Sequence, residues 1–369
     1  MNHNDVYVLK DAVSLFRKQT SGPYVILSFL FHASRLVVSF KASGSVLDCI
    51  KLLDGDHSLQ NISQKVRLPT RDIAHLVRYL VQNKIVVRKN NAAGMIDSRY
   101  VRQVNFFASF ETSFTKRADY QRKIREAHAV IVGCGGIGSW VVEHLARCGM
   151  GKLTIIDPDV VDCTNLSRQA IYSEEDIGRK KVDVLKEHIQ RINRDVKVHT
   201  VEENIKTPHS LLPLMKGVSV VLQCADHPDI EVVNDIVSRA CFHFSIPHIL
   251  CGGYDGHLSY LGQTVIPYKT SCWRCYVEGR VYERSLRGFE HVTVTKASVQ
   301  GGTLSPIACI TASIHALDAI RLITGFSKPL MLDSKAELDF LSFSMAKKRI
   351  PRKKDCSLCG EPTRRRIRG

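Results

Sequence analysis

Nothing in this 369-residue chain reads as a membrane span. The most apolar run near its start, residues 24–31, is too short to cross a bilayer, and the N-terminus has neither the basic start nor the cleavage site of a signal peptide. Those absences exclude a membrane or secreted class and point to the cytoplasm. They also decide how the 12 cysteines are read: in a large chain without an export signal they stand as thiols or metal ligands rather than disulfides. Negative charge is in short supply too, with 36 Asp and Glu against 52 Lys and Arg, a formal +16. Half of that excess lies in residues 345–369, where ten basic residues (Lys347, Lys348, Arg349, Arg352, Lys353, Lys354, Arg364, Arg365, Arg366 and Arg368) face only Asp355 and Glu361. No aromatic residue interleaves these basic runs, which argues against stacking on single-stranded nucleic acid. The tail reads as a solvated end, with an acidic peptide or nucleic acid as the alternative partner. There is no internal repeat. At 44% hydrophobic residues, the length suffices for two or three domains with their own cores.

What is present centres on residues 129–138, AVIVGCGGIG. Val130, Ile131 and Val132 read as a buried parallel strand, and Gly133, Gly135 and Gly138, with Gly136 between, follow at G-x-G-x-x-G spacing before a helical stretch 139–148. Without Cβ atoms the chain turns tightly, phosphates approach the amides, and the helix start offers unpaired N–H groups. A structural strand-to-helix turn is the alternative for the glycines alone. A second apolar strand, 152–157, ends in Asp157, a carboxylate placed to accept from ribose hydroxyls. Further strands at 196–201, 218–224, 247–251 and 259–266 alternate with helices at 179–193 and 230–244. Alternation requires crossovers and predicts an α/β, Rossmann-like, mostly parallel sheet with ligands at the carboxyl ends of its strands.

Residues 1–90 read as a small separate domain, followed by a linker at 91–98. Strand-like segments 6–9, 24–31 and 36–40 precede helical patterns at 45–53, 59–66 and 70–82 and a short strand at 85–88. Three helices and a wing strand make a winged-helix order. With the Leu52-Leu53-Asp54-Gly55 signature, it resembles the PqqD-like precursor-peptide recognition domain, which implies a leader peptide added as a strand to a sheet edge. A DNA-binding winged helix or a structural cap are the alternatives.

Beyond Asp157 the chain supplies Asp159, Asn165, Arg168, Gln169 and Lys181. These are groups for handling phosphates rather than a hydride. Arg grips oxygen pairs in a fork, Lys adds a compact charge, and together they offset charge that grows as pyrophosphate leaves. Asp226, after an apolar strand, is placed to hold Mg²⁺. His227 reads as a turn former before Pro228 or as an acid/base group. Cys134 reads as a packing residue or as a nucleophile at a helix start.

Together with Arg99-Tyr100-x-Arg102-Gln103 and two Cys-x-x-Cys pairs, these motifs resemble the ThiF/MoeB/ubiquitin-activating superfamily over about residues 99–360. The resemblance implies an adenylation core at 99–345, in which a carboxylate attacks the α-phosphate of ATP. It implies that Asp157 binds ribose, Arg168 and Lys181 contact phosphates, Asp226 holds magnesium and Arg102 reaches across a homodimer into the partner's site. Asp226-His227-Pro228 and the added N-terminal domain are similar to the peptide-antibiotic subgroup that acts on ribosomally made peptides, that of the microcin C and pantocin A enzymes. Ser298 stands where several relatives carry a thiol, so no thioester relay is expected. The subgroup implies adenylation of a glutamate side chain followed by intramolecular cyclisation. Stable AMP transfer to a peptide terminus, sulfur-carrier adenylation, and a non-catalytic peptide- or nucleic-acid-binding protein are the alternatives, nucleic acid being the less expected partner.

Cys272-x-x-Cys275 and Cys356-x-x-Cys359 each present two thiolates on a tight turn, and together they complete a closed tetrahedral site suited to structural Zn²⁺. The second pair would clamp a basic tail, 346–369, onto the core. Redox chemistry is the alternative. Between the pairs, residues 278–304 read as a long loop over the site, whose Arg280, Arg284, Arg287 and His291 steer an acidic peptide, act on the acyl-adenylate or are merely solvated. Residues 313–323 read as a closing amphipathic helix.

Overall fold

The computed structural model describes residues 2–32, 34–89, 97–111, 116–277 and 302–360. It divides into two compact units, Met1–Tyr120 and Gln121–Gly369. The division falls later than the expected domain end at residue 90 and puts Arg102 in the first unit. Most of the linker, Arg280, Arg284, Arg287, His291, Ser298 and the last four arginines of the tail lie outside the described residues.

In the first unit, β1 (Val6–Leu9) lies between β5 (Asp54–Ser58) and β6 (Val86–Arg88), antiparallel to both. A separate antiparallel meander joins β2 (Val13–Gln19), β3 (Tyr24–Phe31) and β4 (Val37–Ser43). The helices α1 (Gly44–Lys51), α2 (Leu59–Val66) and α3 (Thr70–Gln82) follow the predicted spacing. Ser58 caps α2 by accepting from the Asn61 N–H. Ile73, Val77 and Leu80 turn one stripe of α3 inward, and Val25, Leu27 and Phe29 alternate inward from β3, so a single core joins meander and helices. Then come α4 (Val101–Phe107) and α5 (Arg117–Glu126), which crosses the unit boundary.

The second unit is built on a six-stranded sheet. Its order is β14 (Thr264–Val265), β11 (His248–Leu250), β10 (Val220–Gln223), β7 (His128–Val132), β8 (Lys152–Ile156), β9 (Lys197–Val201). All neighbours are parallel except β14 on β11. Both faces are covered, so alternate residues of β7 enter different cores. Ala129 and Ile131 pack with α6 (Gly138–Arg147), α7 (Lys181–Ile192) and α11 (Ser305–Thr324), whereas Val130 and Val132 pack with α8 (Pro208–Leu211) and α9 (Ile230–His243). The expected strand 259–266 is in fact two. β13 (Leu258–Leu261) joins an antiparallel sheet with β12 (Tyr254–Asp255), β15 (Ser334–Asp339) and β16 (Ser344–Arg349), while β14 turns back to the main sheet. Residues 346–349 therefore belong to an edge strand rather than to a tail. The short α10 (Trp273–Val277) carries Cys275.

By length and composition α11 is long and apolar enough to cross a membrane, but 56% of its apolar window is buried inside the protein. Its inner face also carries polar groups bound to the second unit, with Thr311 to Ser259 at 2.6 Å and Asp318 accepting from Thr264 at 2.9 Å. Those contacts are what a core helix makes.

Candidate active site

Strand β7 has β8 on one side and β10 on the other, so the crevice beyond its carboxyl end is the topological switch point of the sheet. A cleft of about 590 Å³ opens there, with a wall from the loop after each of β7, β8, β9, β10 and β11. Gly133, Gly135, Gly136, Asp157, Asp159, Asn165, Arg168, Gln169, Lys181 and Asp226 all line it. Gly138 stands just behind, as the first residue of α6. Arg102 lies on an exposed turn of α4 in the other unit.

The glycine loop is shaped by missing atoms. Gly133 has φ +88°, and a Cβ there would lie 2.6 Å from the Ala225 nitrogen; on Gly138 a Cβ would lie 1.9 Å from the Gly133 carbonyl oxygen. On Gly136 it would strike the Tyr254 hydroxyl at 1.9 Å. The loop is tied to Asp157, whose carboxylate accepts from the Cys134 N–H at 2.5 Å and from the Asp159 N–H at 2.9 Å. Burial pushes the Asp157 carboxyl above its ordinary 3.8, against the pull of the Lys181 ammonium and those two N–H groups. Lys181 is 4% exposed and pairs with Asp159 at 2.8 Å, so its charge is held inside the cleft wall. Burial, with Asp157 nearby, pushes the Cys134 thiol well above its ordinary value, which suits packing rather than attack.

The segment bearing Arg168 is clamped from the first turn of α6. The Trp140 indole N–H donates to the Arg168 carbonyl at 3.1 Å, and the Ala170 N–H donates to the Ser139 hydroxyl at 3.0 Å. Asn165 closes a capping box with Asp162, and the Arg168 guanidinium reaches back to the Thr164 carbonyl at 2.7 Å. Gln169 lines the cleft and is 6% exposed, and its Oε1 is buried without a hydrogen-bond partner among the described residues. Asp226 stays exposed past the end of β10 and makes no ion pair among the described residues. His227 joins Pro228 through a cis peptide bond before Asp229, which caps α9. The cleft also recruits residues that sequence reasoning did not single out: Glu203 and Asn204 after β9, and Gly252, Gly253 and Tyr254 after β11. Burial raises the Tyr254 hydroxyl above its ordinary 10.0 although the Arg168 guanidinium beside it pulls it down. The available signal was positional, since Gly252-Gly253 directly follows an apolar strand.

A second constellation draws together Cys272, Cys275, Cys356 and Cys359, all buried, with sulfurs within 4.8 Å of one another. The closest pairs are Cys275 with Cys359 at 3.4 Å and Cys272 with Cys356 at 3.5 Å, and Cys272 lies 3.9 Å from Cys275. A tetrahedral ion with metal–sulfur bonds of about 2.3 Å sets its sulfurs about 3.8 Å apart, so these thiols can hold one. Trp273, Ile350 and Leu358 pack around them.

The ThiF family profile matches residues 100–358, most of the chain. The chain belongs to the ThiF family. HesA of Nostoc sp. (strain PCC 7120) is 32% identical over 241 residues, 65% of this chain and 87% of that protein. The molybdopterin-synthase adenylyltransferase of Salmonella typhimurium is 27% identical over 244 residues, covering 65% and 90%. Among solved structures, Escherichia coli MccB with AMPCPP and MccA matches with a TM-score of 0.73 at 24% identity, over 96% of this chain and 100% of that one, which establishes a shared fold. This ThiF family chain is an ATP-dependent adenylating enzyme.

Proposed function

We propose that this enzyme adenylates a glutamate side-chain carboxylate of a ribosomally made peptide, after which a nucleophile of the same peptide displaces AMP and closes a ring. One observation carries the reading: bare glycine backbone, a buried carboxylate and two cationic side chains converge on a single cleft at the switch point. Asp157 accepts from the ribose hydroxyls, and the loop amides with the start of α6 receive phosphate oxygens. Asn165 and Gln169 complete the polar wall on the nucleotide side of the cleft.

Arg168 and Lys181 hold the phosphates and offset the charge that builds on departing pyrophosphate. Asp226 suits Mg²⁺, which takes one or two carboxylates together with phosphate oxygens and waters, and the bound ion would supply charge neutralisation. The peptide carboxylate oxygen bonds to the α-phosphorus as the bond to pyrophosphate breaks. The internal nucleophile then bonds to the acyl carbon, loses its proton and expels AMP. The peptide thus loses one water while ATP becomes AMP and pyrophosphate.

Arg102, exposed on α4 and without a hydrogen bond or ion pair among the described residues, is available to a second copy in a homodimer. The leader peptide binds the N-terminal unit as an added strand; the meander's outer strands β2 and β4 have edges unpaired among the described residues, with Phe16 and Val37 exposed on them. The cysteine cluster holds a structural zinc ion.

The test incubates the enzyme and ATP with short peptides encoded beside its gene and reads peptide mass and nucleotide products together, with Asp226→Ala as control. Loss of one water with AMP released is expected. Gain of an AMP unit would replace cyclisation by stable nucleotide transfer, and no peptide-dependent turnover would refute the peptide substrate.

A further inference from the structure

The nucleotide cleft and a smaller cavity of about 260 Å³ beside it share Gly252, Gly253 and Tyr254, so Tyr254 stands in the partition between them. Its backbone is pinned on both sides. Tyr254 pairs with Ser259 in the β12–β13 ladder, the Tyr260 N–H donates to the Gly253 carbonyl at 2.8 Å, and a Cβ on Gly252 would lie 1.7 Å from the Tyr260 carbonyl oxygen. A side chain carried on such a backbone is aimed rather than free. Its target is the glycine loop: a Cβ on Gly136 would meet the Tyr254 hydroxyl at 1.9 Å, which sets that oxygen against a residue of the cleft wall.

The bonding groups around that hydroxyl are donors. The N–H groups of Gly135, Gly136 and Ile137 have no acceptor among the described residues. The Arg168 guanidinium beside the phenol has only N–H groups to give, so toward Arg168 the phenol oxygen accepts. The phenol's own proton then has no acceptor among the described residues. Burial keeps that proton in place, holding the phenol above its ordinary 10.0 against the Arg168 charge, with a further upward push from the Asp226 carboxylate. Three amide N–H groups, a guanidinium and a phenol O–H thus converge on one end of the cleft. An anionic oxygen is what satisfies them.

The order of the strands decides which phosphate supplies it. Asp157 ends β8, the glycine loop ends its neighbour β7, and Tyr254 follows β11, two strands further on. With the ribose on Asp157, the first phosphate to cross the loop is the α-phosphate, and a carboxylate reaches it from the side away from the ribose, where the partition stands. We infer that the Tyr254 hydroxyl donates to a non-bridging oxygen of the ATP α-phosphate, on the side from which the carboxylate attacks, and keeps its proton throughout. The inference rests on the placement of ribose at Asp157 and phosphates on the glycine loop, and not on which carboxylate is activated. It makes Tyr254 a catalytic residue, because charge gathers on that oxygen as the carboxylate bonds to phosphorus.

The full-length chain with Mg²⁺ is titrated by calorimetry with ATP, with adenosine, and with each diastereomer of ATPαS, in which sulfur, a poorer acceptor, replaces one non-bridging α-oxygen. Tyr254→Phe removes the hydroxyl alone and is expected to weaken ATP about tenfold or more, while adenosine binds both proteins alike within about twofold. One diastereomer is expected to bind the parent about tenfold more weakly than ATP, yet to bind Tyr254→Phe as ATP does within about twofold, since no donor is left to lose. The other diastereomer should stand in the same ratio to ATP in both proteins. Parent-like ATP affinity in Tyr254→Phe, an equal loss of adenosine and ATP, or discrimination between the diastereomers that survives the substitution would overturn the inference. Failure of the parent itself to bind ATP would instead remove the placement of the phosphates, and the inference with it, so the two failures are told apart.

Discussion

The nucleotide cleft and the cysteine cluster both gather residues from distant parts of the second unit, but they are held in opposite ways. In the cleft the backbone itself is in contact: Gly133, Gly136 and Gly138 stand where a Cβ would come within 3 Å of a neighbour, so the loop's shape depends on atoms that are absent. In the cluster four side chains converge within 4.8 Å, and its geometry depends on atoms that are present. The first site is therefore most sensitive to an added methyl, the second to a lost ligand.

The largest effect follows from adding that methyl. Gly138→Ala pushes a Cβ to 1.9 Å from the Gly133 carbonyl, backbone against backbone, and is expected to cost about 3 kcal/mol or more in urea unfolding and to abolish ATP binding. Gly136→Ala meets the Tyr254 hydroxyl at 1.9 Å and the ring carbon that bears it at 2.9 Å, a side chain rather than backbone, so it should cost about 1–2 kcal/mol and recover in part when combined with Tyr254→Phe. A Gly138→Ala protein as stable as the parent would remove the contrast.

Next comes the lost ligand. Cys356→Ser is expected to remove most bound zinc, measured by elemental analysis, and to lower the melting temperature by roughly 5–10 °C, with ATP affinity unchanged within about twofold. Full zinc occupancy in that variant would refute the four-thiolate assignment.

A smaller effect separates the charges of the cleft. Asp157 must be ionised to accept from both loop amides and ribose. Because its pKa is raised above 3.8 by burial, ATP affinity should fall on acidification at a higher pH than for an ordinary carboxylate. For stability the sign is opposite: a raised carboxyl favours the fold when protonated, and that contribution is lost as pH rises through the folded-state value. Lys181→Ala withdraws the ammonium that holds Asp157 down, so the binding midpoint should move further up, as read by ATP titrations across pH.

The smallest change removes one donor. Trp140→Phe keeps an aromatic ring, though a smaller one, and deletes the N–H on the Arg168 carbonyl, and is expected to lower the adenylation rate about three- to tenfold with a stability loss of about 1 kcal/mol.

The same contrast explains what could be read from the sequence. Gly133 to Lys181 were legible because their pattern is local: a strand, a bare loop, a helix start and a carboxylate at the next strand's end. The cysteine pairs were legible because two short spacings suffice. Tyr254, Glu203 and Asn204 were not, since they reach the cleft only through the order in which strands pair. Strands β5 and β16 were missed because Asp54–Ser58 reads as a turn around Gly55 and Ser344–Arg349 as part of a basic tail; each is fixed by pairing with a neighbour rather than by its own composition. The break at 259–266 was hidden because both pieces are apolar, while Gly262, whose Cβ would lie 1.6 Å from the Leu250 carbonyl, marks where the chain changes sheets.

Adenylation is tested most directly by exchange of labelled pyrophosphate into ATP in the presence of a peptide substrate, comparing the parent chain with Asp226→Ala and Arg168→Ala. The predicted result is peptide-dependent exchange in the parent and a loss of about 100-fold or more in both variants. Release of ADP and phosphate in place of exchange, or exchange that survives both substitutions, would contradict the assignment of this cleft to carboxylate adenylation.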